Sequence, residues 1–347
     1  ILSVWLPNWP ITRLTRRNAA ASPADDTAAV ITAETVRGLR RVAAAGPIAA
    51  ARGLRPGQAL TDARALCPDL VAVEADAAAD VAALAALAGW CERYTPMAAP
   101  DPPDGLWLDV TGAAHLFGGE QALADGLADR LARAGIPCRI AIAGTPGAAW
   151  ALARSPLGQD RAVLGPGRER TALAGLPVAA LRLDPRCVAG LRRIGLRTVG
   201  ELARLPRAEI TARFGEAPVR RMDQAFGAAP EAIAWPHPAA PWVERLAFAE
   251  PIGTPEDLAR ALGLLATRLC VRLEADCMGA HRVVARFFRV DDITERCAIA
   301  TALPVRDPTY LTRLLTERLD TVDPGFGVEV MTLTAETVAP LRPTMRS

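Results

Sequence analysis

Lysine is absent from this chain, in which all 40 basic residues are arginine. Any mechanism that needs a lysine amine, such as Schiff-base formation, is therefore excluded. The 38 acidic residues leave a formal net charge of only +2, which is too small to predict nucleic-acid binding from charge alone. A GC-rich genome accounts for the preference for arginine, so this preference carries little functional information.

Long apolar runs and paired cysteines are also absent. No stretch approaches the roughly 20 apolar residues of a membrane span, and the first residues do not form a signal-peptide pattern. The cysteines lack C-x-x-C spacing, which predicts buried thiols in a reducing compartment rather than disulfides or a zinc site. They are Cys67, Cys91, Cys138, Cys187, Cys270, Cys277 and Cys297. We therefore expect a cytoplasmic protein, and its 347 residues correspond to two to four domains.

Hydrophobic periodicity predicts strands and helices in alternation through the first half of the chain. The apolar run Ile1–Leu6 predicts a buried strand, and the alanine-rich residues 17–71 predict small helices, including Leu60–Leu66. The elements predicted next are helices over 78–94, 119–134 and 147–154 and strands over 106–110 and 138–143. This order is typical of a mixed sheet with helices on one face.

The last hundred residues predict a β-α-β-β-α-β unit. Its strands are predicted over 243–249, 281–287, 298–303 and 328–335. Its two helices begin at Thr254-Pro255 and Asp307-Pro308, where a capping side chain precedes a proline in the first helical position. Upstream, Thr198-Val199-Gly200-Glu201 has the spacing of a capping box. Residues 228–241 contain four prolines and predict an extended linker.

Two nearby segments carry the most informative motif. They read Tyr94-Thr95-Pro96-Met97 and Asp104-Gly105-Leu106-Trp107-Leu108-Asp109-Val110-Thr111-Gly112. This motif resembles the second acidic motif of the Y-family (lesion-bypass) DNA polymerases, Y-T-P…S-I-D-E-A-Y-L-D-V-T-G. In that family the adjacent Asp and Glu help to hold the catalytic metal ions. Here position 104 keeps the Asp, whereas position 105 is Gly.

Further segments follow the same family in order along the chain. Residues 53–68 resemble the fingers element G-V-x-x-G…A-x-x-x-x-P, and residues 190–202 are similar to the thumb helix-hairpin-helix. The resemblance implies an α+β fold with palm, fingers, thumb and β-α-β-β-α-β little-finger domains. The implied boundaries are palm 1–16 and 72–165, fingers 17–71, thumb 166–232, linker 233–241, little finger 242–340 and the start of a C-terminal tail at 341–347.

The chain departs from the family at the metal ligands. Active members begin with a strand of the form D-M-D-x-F-F, and the ungapped match places Trp5 and Pro7 at its two Asp positions. With Gly105, two of the three carboxylates that the family uses are missing. Two-metal phosphoryl transfer needs ions roughly 3.5–4 Å apart, held by shared carboxylates. Asp104 alone cannot compensate the charge of two such ions, so we expect no catalytic residues and no metal site.

The positions that bind the incoming nucleotide in active members are also replaced. The Y-x-A-R element, whose Tyr and Arg cover the triphosphate, corresponds to Pro47 and Ala50. The second Lys of the N-K-x-x-A-K element corresponds to Trp150. The resemblance therefore implies no nucleotide-binding residues, and the apolar replacements favour an active site that has been filled in.

Two of these positions allow more than one interpretation. Asp104 could hold a single cation, but an exposed Asp at the start of a strand is the simpler interpretation. Trp5 and Trp150 could stack on a base, although both lie in apolar segments that favour core packing.

Arginine clusters are the candidates for DNA contacts. Residues 182–221 contain ten Arg and four acidic residues, and Arg192, Arg193 and Arg197 lie in the helix-hairpin-helix match. However, the first hairpin, G-I-G in the family, aligns with residues 182–184, which contain no glycine and include an acidic side chain. A solvated basic helix face is therefore an alternative to DNA binding. The little-finger candidates are Arg282, Arg286 and Arg289.

The losses resemble catalytically inactive members of the family that bacterial mutagenesis cassettes encode. That resemblance implies a non-catalytic adaptor, without cofactors, that recruits an error-prone replicative-type DNA polymerase and a RecA-like accessory protein to the sliding clamp and damaged DNA. None of the four glutamines begins a Q-L-x-L-F-like clamp peptide, so we expect that peptide beyond Ser347. Two alternatives remain: an active translesion polymerase with relocated metal ligands, and a DNA-binding module without partners.

Overall fold

A computed structural model describes residues 1–19, 28–155, 160–235 and 242–341. The chain divides into two compact units, of which the first comprises residues 1–89 and 98–234 and the second residues 90–97 and 235–347. The four-domain division predicted from sequence is finer than these two units and stays a prediction. Within the described ranges, no helix combines the length and the apolar character needed to cross a bilayer.

The first unit contains two sheets and a set of short helices. Its elements are β1 (Leu2–Trp5), α1 (Trp9–Ala19), β2 (Val30–Val36), β3 (Leu39–Ala45), α2 (Pro47–Ala51), α3 (Leu60–Leu66), β4 (Val71–Glu74), α4 (Ala77–Cys91, which ends in the second unit), β5 (Ala98–Asp101), β6 (Gly105–Leu108), α5 (Glu120–Arg133), β7 (Arg139–Ile142), α6 (Pro146–Ala153), β8 (Arg161–Val163), α7 (Glu169–Leu173), α8 (Pro185–Arg193), α9 (Val199–Ala203), α10 (Arg207–Phe214) and α11 (Ala217–Phe226).

The larger sheet is mixed, as predicted, with strand order β5-β6-β1-β7-β8. Its central strand β1 pairs antiparallel with β6 and β7, whereas β8 joins β7 in parallel. The register sets Trp5 opposite Gly105 on one side and Arg139 on the other. All four residues of β6 are buried. The pairing of β1 with β6 builds the candidate site.

Residues 17–71 were predicted to form small helices, and this prediction missed a sheet. The structure confirms α3 at Leu60–Leu66, but the segment also forms a second sheet with order β3-β2-β4. β2 and β3 form a hairpin with positive φ at Arg37 and Gly38, as two-residue hairpin turns require. Ile31 and Val42 lie in the core between this sheet and its helices. Strand pairing therefore overrides the weak helical preference of alanine here.

The predicted capping box at the start of α9 is confirmed. Thr198 Oγ1 accepts a hydrogen bond from the Glu201 amide, and the Glu201 carboxylate accepts one from the Thr198 amide.

Small residues allow α6 and α11 to approach each other closely. Helix α6 lies against α11, where a Cβ added to Gly147 would be 2.8 Å from Ala225 Cα. A larger side chain at position 147 would therefore separate the two helices.

The second unit confirms the predicted β-α-β-β-α-β order. Its elements are β9 (Val243–Ile252), α12 (Pro255–Ala275), β10 (Met278–Arg289), β11 (Thr294–Val305), α13 (Pro308–Thr316) and β12 (Val328–Pro340). The antiparallel sheet has order β11-β10-β12-β9 and shares one core with α12 and α13. The predicted caps are confirmed, since Thr254 accepts from the amide of Asp257 and Asp307 from those of Thr309 and Tyr310. Residues 236–241 of the predicted linker and 342–347 of the predicted tail lie outside the described residues.

Candidate functional site

Trp5 and Asp104 are joined by a hydrogen bond at the end of the central strand β1. The indole Nε1 of Trp5 donates to Asp104 Oδ2 at 2.8 Å, and the Leu6 amide donates to the Asp104 carbonyl at 2.8 Å. The interpretation of Asp104 as an exposed residue is wrong, because its side chain is only 30% exposed and is held by partners. The indole therefore occupies one oxygen of the Asp104 carboxylate.

Arg154, which the sequence analysis did not identify, binds the remaining acidic groups. Its Nη2 donates to Asp104 Oδ1 at 2.9 Å and to Asp101 Oδ2 at 3.3 Å. Its guanidinium also lies 4.2 Å from the ring centroid of Trp150, a cation–π distance. The guanidinium thus supplies a positive charge beside the two carboxylates. Trp5 and Trp150 are half-buried at this cluster, so the expectation of simple core packing is corrected.

Burial governs the electrostatics of the cluster. It raises the pKa of the Asp101 carboxyl, and the guanidinium groups of Arg154 and Arg182 oppose that rise. Burial also lowers the pKa of Arg154, an effect that the neighbouring Asp104 and Asp101 oppose. An arginine remains protonated at physiological pH even when its pKa is depressed. The cluster is therefore a compact ion pair with two carboxylates and one guanidinium.

Gly105 leaves the space that Arg154 occupies. A Cβ added at this buried position would lie 2.6 Å from Arg154 Nη2 and 2.9 Å from the Val4 carbonyl oxygen. Such distances are shorter than van der Waals contact, so any side chain requires a shift of neighbouring atoms. A glutamate at this position would be incompatible with the observed place of the guanidinium.

The residues present do not fit the two divalent ions of a polymerase. The acidic cluster offers Asp101 and Asp104, and both already bind Arg154. In the part of the chain that the structure describes, no group of three His, Cys, Asp or Glu side chains could hold a metal ion. Pro7 lies in the turn after β1 and contributes no side-chain donor. The arrangement can neutralise charge and hold β1, β6 and α6 together, but it offers no set of ligands for phosphoryl transfer.

Arg182 is the first of residues 182–184, the segment aligned with the family's G-I-G hairpin. Its guanidinium lies near two tryptophan rings. Its guanidinium lies 5.8 Å from the Trp107 ring centroid and 5.7 Å from that of Trp150. It also donates to Glu231 at 2.6 Å. Two positions later, Asp184 caps α8 by accepting from the Arg186 amide. These residues have structural partners within the unit, although Arg182 adopts a left-handed conformation (φ 55°) that favours glycine.

The predicted nucleotide positions differ in exposure. Pro47 and Ala50 are exposed on the short helix α2, where neither offers a polar side chain, whereas Trp150 is half-buried. Thr145 caps α6, and its hydroxyl donates to the Ala225 carbonyl at 2.9 Å. This end of α6 therefore contacts α11.

The three thumb candidates remain exposed. Arg192 and Arg193 end helix α8, and Arg197 lies in the turn before α9. None of the three belongs to an ion pair among the described residues, and their charges are open to solvent. Cations at a helix C-terminus also favour the helix dipole, so the basic helix face described from sequence remains an alternative. DNA contact at these residues stays a prediction.

The three little-finger candidates have internal partners. Arg282 and Arg286 both pair with Glu336, and Arg286 also pairs with Glu92 at 2.8 Å. The Arg286 side chain is only 12% exposed, whereas that of Arg282 is 46% exposed. Their charges are therefore largely compensated within the unit. A role in DNA binding is not tested by this arrangement and stays a prediction.

Arg289 is the most enclosed of the three. Its side chain is 8% exposed, and it donates to the carboxylates of Asp291 and Asp323 and to the Asp323 carbonyl. Another buried arginine, Arg93, lies in the same unit between Asp292 and Glu329. No sequence pattern signals these pairs, because the partners come from turns and from residues 90–97 rather than from the strand itself.

Comparisons with known proteins agree with this architecture. The impB/mucB/samB family matches residues 20–154, and the C-terminal domain of that family matches residues 243–341. Protein ImuB of Caulobacter vibrioides (strain NA1000 / CB15N) is 52% identical over 289 residues, which are 83% of this chain and 63% of that protein. The chain thus spans less than two thirds of this relative. DNA polymerase IV 2 of Mesorhizobium japonicum is 32% identical over 178 residues, or 51% of this chain and 43% of that protein.

Solved structures share the fold. DinB from Sulfolobus solfataricus superposes with a TM-score of 0.56 at 15% identity, covering 98% of this chain and 99% of that one. An insertion ternary complex of Dbh DNA polymerase gives 0.56 at 14% identity over 98% and 99% of the two chains. The predicted α+β Y-family architecture is confirmed. The two family matches, the relationship to ImuB and the shared architecture together show that this chain belongs to the impB/mucB/samB family, as an ImuB-like homologue of the Y-family DNA polymerases.

Proposed function

We propose that this chain is the polymerase-like part of a non-catalytic adaptor in DNA-damage tolerance and induced mutagenesis. The observation that carries the proposal is the contact of Arg154 with Asp101 and Asp104. The Arg154 guanidinium compensates part of the charge of these two acids, and Gly105 provides the space for it. The remaining carboxylates are too few and too fully engaged for a two-metal reaction.

The proposed work is to hold other proteins near damaged DNA. Tethering raises the effective concentration of a bound partner without any chemistry in the adaptor. By its resemblance to ImuB, the chain is proposed to act with the sliding clamp, an error-prone replicative-type DNA polymerase and a RecA-like accessory protein in the cytoplasm. The exposed arginines Arg192, Arg193 and Arg197 are proposed to bind the DNA backbone weakly to moderately, since guanidinium groups attract phosphates.

Primer extension tests the absence of catalysis. The purified chain is incubated with a primed template, the four dNTPs and Mg²⁺ or Mn²⁺, and we expect no extension by the wild type. Incorporation that Asp104→Ala abolishes would overturn the proposal and favour a polymerase with relocated ligands. Incorporation that persists unchanged in Asp104→Ala would identify a contaminating polymerase, because that variant removes the last family carboxylate of the motif.

Binding to purified partners tests the adaptor role. We expect the chain to retain the clamp, the error-prone polymerase or the accessory protein in a pull-down with each protein alone. Retention of none of the three, together with clear DNA binding, would favour a DNA-binding module without partners.

A further inference from the structure

Two turns at one end of the second unit's sheet expose apolar side chains. The turn after β10 contains Ile293, which is 47% exposed, and the turn before β12 contains Phe326, which is 85% exposed. The two turns are adjacent, because the Val290 amide donates to the Gly327 carbonyl at 3.1 Å. Burial of a phenylalanine side chain is favourable, because it removes apolar surface from water. The exposed ring of Phe326 gains this free energy only when a partner covers it.

The backbone holds Phe326 in this exposed position. Gly325 and Gly327 on either side of it have positive φ angles of 51° and 116°. The Gly325 amide donates to Asp323 Oδ1 at 2.9 Å, and the Gly327 amide donates to the Pro324 carbonyl at 2.9 Å. The Phe326 ring is thus presented on a hydrogen-bonded turn rather than on a loose loop.

Arg289 fixes the same turn from beneath. A Cβ added to Gly325 would lie 2.0 Å from Arg289 Nη2, so the guanidinium lies directly against the glycine backbone. The same guanidinium binds Asp291 in one turn and Asp323 in the other. One buried arginine therefore ties both turns together and makes the exposed apolar pair a preorganised surface.

The surroundings of this pair are acidic. The carboxylates in and beside the two turns outnumber the arginines there by two. The carboxylates are Asp291, Asp292, Glu317, Asp320, Asp323 and Glu329, and the arginines are Arg93, Arg245, Arg289 and Arg318. Asp320 is exposed, and the Asp323 side chain is 75% exposed. Because phosphate groups are repelled by such a surface, a nucleic-acid backbone is a poor ligand for it.

We propose that Phe326 and Ile293, with their acidic rim, form a docking surface for a protein that offers an apolar pocket bordered by Lys or Arg. A rigid aromatic anchor surrounded by charged groups is the arrangement that concentrates binding energy in protein interfaces. The acidic rim selects a basic partner and accelerates its association. The proposal rests on the adaptor function for its biological role, since it assigns one of the surfaces through which an adaptor would act.

A random peptide library displayed on phage tests the surface and requires no identified partner. The library is selected on the full chain and counter-selected on Phe326→Ser. We expect enriched peptides that combine an apolar side chain with Lys or Arg. Their affinity, measured by fluorescence anisotropy, should fall about ten-fold or more with Phe326→Ser. It should also fall with Asp320→Lys and with rising salt.

Leu303→Ser is the matched control, because Leu303 is 75% exposed on β11 of the same sheet. This variant should bind the selected peptides like the wild type. No enrichment over the counter-selected variant, or enriched peptides without basic residues, would overturn the proposal. So would a loss of single-stranded DNA binding in Phe326→Ser without loss of peptide binding, because the ring would then serve base stacking. A wild-type dimer in sedimentation that Phe326→Ser dissociates would overturn it in favour of self-association.

The outcomes for the surface and for the adaptor are separable. Selected peptides that depend on Phe326, with no binding of the clamp, the polymerase or the accessory protein, would support the surface and remove the adaptor function. Binding of these proteins that is equal for the wild type and Phe326→Ser, with no selected peptides, would support the adaptor and overturn the surface.

Discussion

The guanidinium of Arg154 occupies the space beside Gly105, because a Cβ at position 105 would lie 2.6 Å from Arg154 Nη2. A side chain at position 105 therefore requires the guanidinium to move. The guanidinium of Arg154 supplies a positive charge beside Asp101 and Asp104, whose carboxylates are partly buried. We expect this charge to stabilise the fold, because partly buried carboxylates are costly without a counter-charge.

A double-mutant cycle between these positions should show coupling. We expect Gly105→Ala to cost about 1–3 kcal/mol in the free energy of unfolding, because its Cβ overlaps the guanidinium and the Val4 carbonyl. In an Arg154→Ala background the same substitution should cost less. Arg154→Ala alone should cost about 3 kcal/mol, since it removes the hydrogen-bonded counter-charge of two partly buried carboxylates. Urea unfolding of the four proteins measures the coupling energy.

Gly126→Ala is the control for this cycle. An added Cβ at Gly126 in helix α5 meets no atom within 4 Å. Alanine there should stabilise the protein by up to about 1 kcal/mol through helix propensity. Equal costs of Gly105→Ala with and without Arg154 would contradict the steric link between the two positions.

The stability contributed by Asp101 should depend on pH in a defined direction. Burial raises the pKa of its carboxyl in the folded state. Ionised Asp101 therefore costs folding free energy above that pKa, and the cost disappears below the unfolded-state pKa of about 3.9. Relative to Asp101→Asn, the wild type should gain stability as the pH falls from neutrality to about 4. Denaturant titrations at several pH values give this difference, and a relative loss of wild-type stability on acidification would contradict the expectation.

Substitution of the thumb arginines should weaken DNA binding, whereas substitution of the little-finger arginine should lower stability. We expect Arg192→Ala and Arg193→Ala to weaken binding to a DNA duplex and to reduce the slope of log affinity against log salt by about 0.9 for each phosphate that is no longer neutralised. Arg286→Ala should instead lower the free energy of unfolding, because its side chain is 12% exposed and pairs with Glu92 and Glu336. Fluorescence anisotropy and urea unfolding report the two effects. Arg207→Ala, which removes an exposed arginine bound to Asp223, is the control.

Thiol reactivity should follow burial. Burial raises the pKa of Cys138, Cys270 and Cys297 to about 11. Since the thiolate is the reactive form, these groups should resist Ellman's reagent near pH 8 until the chain is unfolded. Cys277 is exposed and should react first. Cys277→Ser should remove this early reaction, and rapid modification of the other three in the native protein would contradict the prediction.

The elements that the sequence predicted correctly are those with signals in neighbouring residues. The helices at Pro255 and Pro308 each follow a capping side chain that accepts from the backbone, and such signals lie within four residues. The sheet of β2, β3 and β4 was missed for the opposite reason. β3 reads Leu-Arg-Arg-Val-Ala-Ala-Ala, without regular alternation, and becomes a strand only because β2 pairs with it.

The sequence likewise identified some residues of the candidate site and missed others. Sequence comparison located the replaced positions Trp5 and Gly105, because a motif preserves the register around a missing residue. It could not locate Arg154, which lies 50 residues after Asp104 and belongs to no spacing pattern. Only strand pairing and the packing of α6 bring that guanidinium to the two acids.

The amino-acid sequence by itself thus determined the family and the order of elements, because both are recorded in short runs of neighbouring residues. The tertiary structure alone decided which charges meet. Arg154 pairs with Asp101 and Asp104, Arg286 and Arg289 pair internally, and Phe326 is held outwards. Coulomb and packing energies depend on distances in space, and those distances are set by contacts between residues far apart along the chain.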